Sequence, residues 1–370
     1  MKKGLYIVNF DHKITATEWR KDGVLKKIAG QIKAFKNAGI QIELFNVGEK
    51  KLNYFFRFFF SLFNKKQYLL GKIDNLKGLD FVYIRNFVPI NIGCIFLLKY
   101  LHRMGSKIIY EFPTYPYDGE HTGFKGFFFL IIDRLFRRFL KKYVDYVSTY
   151  SDDDKIFGIP TVRMVNGIDC SDIHVIKLTE NKSGLNLIAV ANFNQWHGYD
   201  RLIEGLNEYC KSKLSGKVYI SFVGDGPDLE NYKRKVIDYD LRDFIFFHGS
   251  LSGEDLDAEF NKADLAICSL GCHRINIFKG SFLKSREYLA RGLPMISSTR
   301  IDILDTSFPY IHYVPENESP IDINSIIKFY DTLILKESRS AQIKNIRCFA
   351  EKYCDIKITM QPIIQIVLSD

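Results

Sequence analysis

Lys279, Lys284 and Glu287 are the residues whose types and spacing most directly suggest chemistry. Lys284 and Glu287 stand three apart, which puts both on one face of a helix. Two lysines at a helix start, with the unpaired N–H groups of its first turn and the positive end of its dipole, suit a phosphate. A carboxylate one turn on is a poor phosphate ligand but accepts two sugar hydroxyls. Phosphate plus ribose means a nucleotide. The same residues also fit an ordinary capped helix with a solvated Lys/Glu face, and this stretch alone leaves both readings open.

The neighbouring residues supply the elements that position these three. Leu265-Ala266-Ile267-Cys268 is a short apolar run bounded by turn residues, hence a buried strand. A polar loop follows from Gly271 to Gly280. Ser281 is the expected N-cap, Phe282 to Arg291 the helix body, and Gly292 its stop, with Pro294 just beyond. Leu293 to Ile296 begins the next strand. Strand, loop, helix and strand in this order form a right-handed βαβ unit. Its loop lies at the carboxyl edge of a parallel sheet, where open α/β folds bind ligands.

A chain of 370 residues predicts two domains. Hydrophobic content of 46% and charged content of 26% suit a soluble globular protein. The start, MKKGLYIVNFD, has too short an apolar run for a secretory signal and reads as a first buried strand. No apolar run approaches the roughly eighteen residues of a membrane span. Seven cysteines, odd in number and without C-x-x-C, predict reduced thiols in a cytoplasmic protein. Cys268-x-x-x-Cys272-His273 lacks the second pair of ligands that a metal site needs.

The net charge of +9 is unevenly spread. Residues 1–170 hold 28 Lys/Arg against 16 Asp/Glu, and residues 171–370 hold 24 against 27, so the halves carry +12 and −3. That asymmetry points to an anionic partner touching the first half. Tyr54 to Phe63 is aromatic nearly all round and is followed by Lys65-Lys66. Phe124 to Tyr143 sets Arg134, Arg137, Arg138, Lys141 and Lys142 against an apolar face. Such segments lie on anionic membrane leaflets, though a core-facing helix with a basic outer side fits the second equally. Nucleic acid ranks lower, because the aromatic residues cluster in apolar runs instead of interleaving with Lys and Arg.

Both halves alternate strand and helix. In the first, Leu5 to Phe10 is a strand, Val24 to Asn37 a helix with an apolar stripe, and Ile40 to Val47 a strand. Further strands are expected at 81–84, 107–112 and 146–149. Gly23, in the turn before the helix, permits a close backbone approach or simply a tight turn. After the strand ending near 112, Glu111, Asp118, Glu120 and His121 are candidate ligands or a base, unless the local prolines only shape a turn. In the second half, strands 185–191, 218–223 and 244–247 alternate with helices 199–210 and 254–261. The loops 192–198 and Gly224-Asp225-Gly226-Pro227 fall at carboxyl strand ends, and their glycines let backbone come near a ligand. Two doubly wound domains facing each other across a cleft are expected: 1–164 and 165–345, with 346–370 helical and crossing back.

The runs NGID (166–169), ANFNQWHGYDRLIEGL (191–206), FVGDGPDLENYK (222–233), FHGSLSGEDL (247–256) and ADLAI…LKSREYLARGLPMIS share an order and spacing. In both respects the chain resembles the family-four retaining glycosyltransferases. The likeness is specific across about residues 160–300 and general in the first half, where Gly23 falls at the family's Gly-rich turn. It implies the α/β GT-B fold of two facing Rossmann-like, doubly wound parallel-sheet domains. It also implies retaining transfer from a nucleotide-diphosphate sugar held by the second domain, with no divalent metal or other cofactor. The acceptor would bind the first domain.

The departures are specific. Where the family commonly has an Arg and, five residues on, a Lys before Gly, this chain has Asn192 and His197. Where it has two glutamates separated by seven residues, this chain keeps Glu287 and has Lys279 in place of the other. Two cations lost and one gained imply a rearranged diphosphate clamp. Lys284, His197 and Asn192 are the expected catalytic set, with His197 donating a hydrogen bond in either charge state. Glu287, Lys279, Gly280, Ser281, Gly224, Gly226 and Gly23 are expected on the donor. Glu111, Asp118, Glu120 and His121 are expected on the acceptor side. The expected acceptor is a glycan or lipid-linked molecule of cell-surface polysaccharide assembly, reached in the cytoplasm at the inner membrane face. The alternative is a non-catalytic nucleotide-sugar-binding subunit. A nicotinamide oxidoreductase needs G-x-G-x-x-G after the first strand, and Asn9 to Gly23 has none.

Overall fold

The computed structural model describes residues 1–10, 23–47, 78–85, 89–120, 123–178, 184–212, 216–305 and 307–369. The aromatic run Tyr54 to Phe63 and His121 lie outside them. The chain divides into two units, residues 1–165 with 356–370, and residues 166–355.

The first unit is built on seven strands: β1 (Lys3–Val8), β2 (Gln41–Asn46), β3 (Phe81–Arg85), β4 (Lys107–Phe112), β5 (Tyr146–Thr149), β6 (Lys155–Ile156) and β7 (Ile159–Arg163). Their order is β2-β1-β3-β4-β5-β7-β6, parallel throughout except for the β6/β7 pair. Helices cover both faces, so β1 and β4 are buried from their second residue on, with no alternation. On one face, helix Gly23–Asn37 buries Leu25, Ile28, Ala34 and Phe35 against β1 and β3, together with Ile356, Met360 and Ile363 from the chain's end. On the other, helix Ile92–Arg103 buries Leu97, Leu98 and Leu101 against Val82, Ile84 and Ile108.

The second unit repeats the plan with β8 (Leu185–Asn192), β9 (Val218–Asp225), β10 (Ile245–Phe247), β11 (Leu265–Ile267), β12 (Lys279–Gly280), β13 (Met295–Ser297), β14 (Arg300–Ile301) and β15 (Ile311–Tyr313). Six of them form one parallel sheet, β10-β9-β8-β11-β13-β15, and β12 pairs with β14. Helix Tyr199–Lys211 packs on one face and helix Leu283–Arg291 on the other.

Three boundaries differ from those expected. The loop 271–280 holds a 3-10 turn, Cys272–Ile275, and the short strand β12. The helix after it starts at Leu283, with Phe282 in extended conformation at its N-cap position and no side-chain cap. The return to the first unit falls at Ile356, not near Ile346, because helix Arg339–Tyr353 is held in the second unit. Gly292, at φ +81°, has Ile343 so close that a Cβ there would lie 2.7 Å from its Cγ2. Arg347 donates to the carbonyls of Ala290 (2.8 Å) and Ile173 (2.9 Å).

Candidate functional site

The carboxyl edge of the second sheet gathers the chemistry. β8 ends at Asn192, and its continuation is locked to β9 by Phe193 N–H donating to the Asp225 carbonyl at 2.6 Å. The glycines of β9's end serve this contact. A Cβ at Gly224 (φ +132°) would fall 1.9 Å from the Ala191 carbonyl oxygen, and one at Gly226 (φ +150°) 2.3 Å from the Phe193 nitrogen. The close approach expected there is therefore between two segments of the chain itself. Asn192 is exposed, and its Oδ1 lies against Gly226. Gly23 opens its helix with open space around it.

The loop after β8 makes a single 3-10 turn, Gln195–His197, and Gly198 at φ +64° links it to helix Tyr199–Lys211. Gly198 and Gly271 cross so tightly that a Cβ on Gly198 would lie 2.5 Å from the Gly271 nitrogen, and Leu270 N–H donates to the His197 carbonyl at 2.7 Å. Two loops at neighbouring strand ends are thereby welded. Arg274 fastens them again, donating to the Gln195 carbonyl (2.8 Å) and to both oxygens of Asp200 (3.0 and 2.7 Å).

His197 is buried in this weld. The Asn194 N–H donates to its Nδ1 at 3.0 Å. Burial, reinforced by the Lys284 charge, pulls its pKa down to about 3. The ring is neutral, and with Nδ1 accepting, its proton sits on Nε2. Of the two charge states in which it could donate, the ring is in the neutral one, with one N–H to offer and no charge.

Lys284 supplies the charge. Its ammonium donates to the Tyr199 hydroxyl at 3.3 Å and lies 5.6 Å from that ring's centroid, while the His197 ring stacks on Tyr199 at 5.6 Å with 17° between planes. Burial pulls the ammonium down to about 8. The Tyr199 hydroxyl donates in turn to the carbonyl of Ile267, the last residue of β11, at 3.4 Å. Tyr288 donates to the same carbonyl at 3.3 Å and accepts from Val190 N–H at 3.0 Å. Lys284 and His197 are thus brought together over two buried tyrosines that brace β8 and β11. Neither tyrosine was singled out from sequence, since both occupy ordinary core-facing helix positions.

Glu287 stands one turn on from Lys284. Its Oε1 accepts from Arg291 Nε (3.1 Å) and Nη2 (2.9 Å), and Arg291 is held by Asp257 at 2.6 Å and by the Phe260 ring at 4.0 Å. The carboxylate is fixed through one oxygen. Lys279 is exposed on β12, outside the helix's first turn. Gly280 makes room for the Phe282 ring, which a Cβ there would meet at 2.2 Å. Ser281 is no N-cap: its Oγ accepts from Asn166 N–H and from Arg286 Nη2, both at 3.1 Å, and its carbonyl accepts from Asn166 Nδ2 at 2.7 Å. Arg286, fully buried and also paired with Asp302, holds this junction. The long-range partners took the hydroxyl that local spacing assigned to the cap.

The first-half candidates are not gathered. Glu111 lies within β4, not in the loop after it, and is buried because both sheet faces are covered. Its Oε1 accepts from Arg85 (3.1 Å), Lys27 (3.4 Å) and Tyr150 (3.1 Å), whereas its buried Oε2 has no partner among the described residues. The two cations hold the carboxyl below its usual range against the cost of burial, and burial lowers Lys27 to about 8. Asp118 sits apart from this cluster, bound by Arg134 and Arg137 at 2.8 Å each, which keeps its carboxyl low. Those pairs also neutralise two of the five cations counted on the basic face. Glu120 ends the 3-10 turn that begins at Asp118.

Residues 172–305 match the family model described as glycosyl transferases group 1. No curated protein matches the chain. Solved structures match end to end. A glycosyltransferase from Rickettsia africae ESF-5 is 14% identical, with TM-score 0.69, over 99% of this chain and 97% of that one. Anabaena HepE, in complex with UDP and glucose, is 13% identical with TM-score 0.62 over 99% of both. WaaG, a glycosyltransferase involved in lipopolysaccharide biosynthesis, is 14% identical with TM-score 0.59, over 99% of this chain and 100% of that one. At such identity the likeness shows the fold, the GT-B type with two Rossmann-like parallel-sheet domains.

Proposed function

We propose that this chain, which carries a group 1 glycosyltransferase domain over residues 172–305, is a retaining transferase. It would move a sugar from a nucleotide diphosphate to a glycan or lipid-linked acceptor. The carrying observation is the Lys284 ammonium held beside the neutral His197 over Tyr199, next to an uncapped helix N-terminus. Breaking the sugar–phosphate bond leaves positive charge on the anomeric carbon and adds one negative charge to the departing diphosphate. In this reading the Lys284 ammonium, the His197 N–H and the helix amides meet the latter. Losing one such donor typically costs about 10²–10³ in rate. Lys284 here takes the part that a divalent cation takes elsewhere, so we propose that transfer needs no metal. We assign the Oε2 of Glu287, whose Oε1 is taken by Arg291, to the ribose hydroxyls.

The acceptor side is assigned to the first unit, as the family resemblance implies, although Glu111 is buried within β4. All seven cysteines are free thiols, which suits the cytoplasm, and no described helix is long and apolar enough to cross a membrane. Neighbours named for lipopolysaccharide biosynthesis make cell-surface polysaccharide the first acceptor class to try, and the UDP complex makes UDP-sugars the first donors.

The test is titration and transfer with a panel of UDP-, GDP- and ADP-sugars, with EDTA present. We expect one donor to bind and turn over, Lys284→Ala to lower turnover by about 10²–10³ in a folded protein, and Glu287→Ala to weaken donor binding. Binding without transfer in the intact protein would assign it instead as a nucleotide-sugar-binding subunit. Near-normal turnover in the Lys284 variant would remove that residue from the step.

A further inference from the structure

Helix Gly123–Arg137 keeps one side inward and leaves the other uncovered. Gly126 and Asp133 are its buried positions, and Asp133 is fixed there by Ile90 N–H (2.8 Å), Tyr117 OH (2.7 Å) and Arg137 (3.3 Å). Opposite stand Phe124, Phe127, Phe128, Ile131 and Leu135. At roughly 100° per residue these five fall within a single arc of about 100°, centred away from Asp133. Phe124 is 80% exposed and Phe127 60%, and the other three lie between 41% and 47%. The Phe128 ring meets both Phe124 and Phe127 edge-on, at 4.9 and 5.8 Å, so the apolar strip is continuous. A strip of this kind marks an interaction surface.

The charges beside it select the partner. Arg138, Lys141 and Lys142 follow the helix end, all exposed, and Arg138 and Lys142 lie over the Phe139 ring at 5.0 and 5.3 Å. The nearby carboxylates, Asp118 and Asp133, are already taken by Arg134 and Arg137. A second copy of the chain meeting this face on a two-fold axis would bring the same patch, with its carboxylates already paired, and so no counter-charge for these cations. An anionic lipid surface instead offers acyl chains to the strip and phosphates to the cations.

We infer that helix Gly123–Arg137 docks in the plane of an anionic bilayer, with its aromatic strip immersed and Arg138, Lys141 and Lys142 against the headgroups. This stands on the helix alone and is independent of the donor reading, though it would bring a lipid-linked acceptor within reach.

The test uses the full chain and vesicles of phosphatidylcholine with or without phosphatidylglycerol, with no donor or acceptor present. Co-sedimentation is expected with the anionic vesicles only, weakening as salt rises. Each basic side chain near the surface is worth about fivefold, so R138Q/K141Q/K142Q should bind about a hundredfold less tightly. Phe127→Ser with Phe128→Ser should lose at least about tenfold at an unchanged melting temperature. Phe128→Trp keeps the strip and adds an indole that brominated phosphatidylglycerol should quench beyond the quenching seen in the parent protein. Absence of binding, binding indifferent to lipid charge, an unquenched indole, or a concentration-dependent dimer that covers the strip would each overturn the inference.

Discussion

Lys284 donates a hydrogen bond to the hydroxyl of Tyr199 across 3.3 Å, on the ring where His197 stacks. A lysine from one strand-end helix is thus delivered to an imidazole in the 3-10 turn at another strand end. The tyrosine that orders it is anchored to the backbone of the strand between them, through Ile267. The ammonium keeps its position while remaining poorly solvated, which is the condition under which a charge acts strongly on a bound anion.

That condition gives donor binding a pH signature. Burial sets Lys284 near 8, so the cation that a diphosphate needs is present below that value and lost as pH rises through it. Affinity for the nucleotide should fall above pH 8, by at most about tenfold per pH unit. Lys284→Arg, which stays charged, should abolish the fall. The stability of the free protein changes in the opposite sense. Its unfolded lysine binds a proton up to the ordinary 10.5, so the Lys284 contribution becomes less unfavourable as pH rises from about 8 toward that value. Calorimetric titration across pH 7 to 10 checks this, and an affinity that ignores pH would remove Lys284 from the diphosphate.

Gly226→Ala separates two explanations of the Gly-Asp-Gly loop. Its added Cβ would meet the Phe193 backbone at 2.3 and 2.4 Å, with φ at +150°. If the glycine serves chain-to-chain packing, the variant should lose about 1–3 kcal/mol of stability, seen as a lower denaturation midpoint. A variant of normal stability that merely fails to bind donor would restore the ligand-approach reading.

Legibility from sequence followed the range of the physics involved. Strands such as Lys107–Phe112 and Tyr146–Thr149, and the stop at Gly292, came out with the expected bounds because apolar runs and αL glycines are local signals. Lys284 and His197 were legible as types at suspicious positions. Their meeting was not, because it depends on Tyr199 and on the Gly198–Gly271 crossing, between residues far apart in the chain. Ser281 failed as a cap for the same reason, its hydroxyl being claimed by Asn166 and Arg286. Lys27, which pairs with Glu111 across 84 positions, left no trace in any window.

The Glu111 cluster carries a stability prediction of its own. The carboxylate accepts from Arg85, Lys27 and Tyr150 with no exposure to water, so removing its charge leaves two buried cations uncompensated. Glu111→Gln should cost about 3 kcal/mol, as broken buried pairs do. Because its pKa is held low in the fold, this contribution is complete above the ordinary carboxyl range and disappears as pH falls through the folded value. Wild type and variant should therefore differ in melting temperature at neutral pH and converge in acid. An equal gap at every pH would show that the loss is packing alone.

Position 197 tests whether the cation has moved rather than vanished. The resembled family commonly has a lysine there, whereas here the ring is neutral and Lys284 stands next to it, close enough to depress its pKa. His197→Lys alone should not raise activity, because it sets a second ammonium against the first in a poorly solvated pocket and disfavours both. Lys284→Ala alone should lower transfer by about 10²–10³. The double variant, with its single cation at 197, should recover at least about tenfold over Lys284→Ala, a coupling that independent sites do not show. Transfer rates and nucleotide affinities of the four proteins measure it. A double variant no better than Lys284→Ala would mean that the ammonium acts from one position only and that the two sites do not substitute for each other.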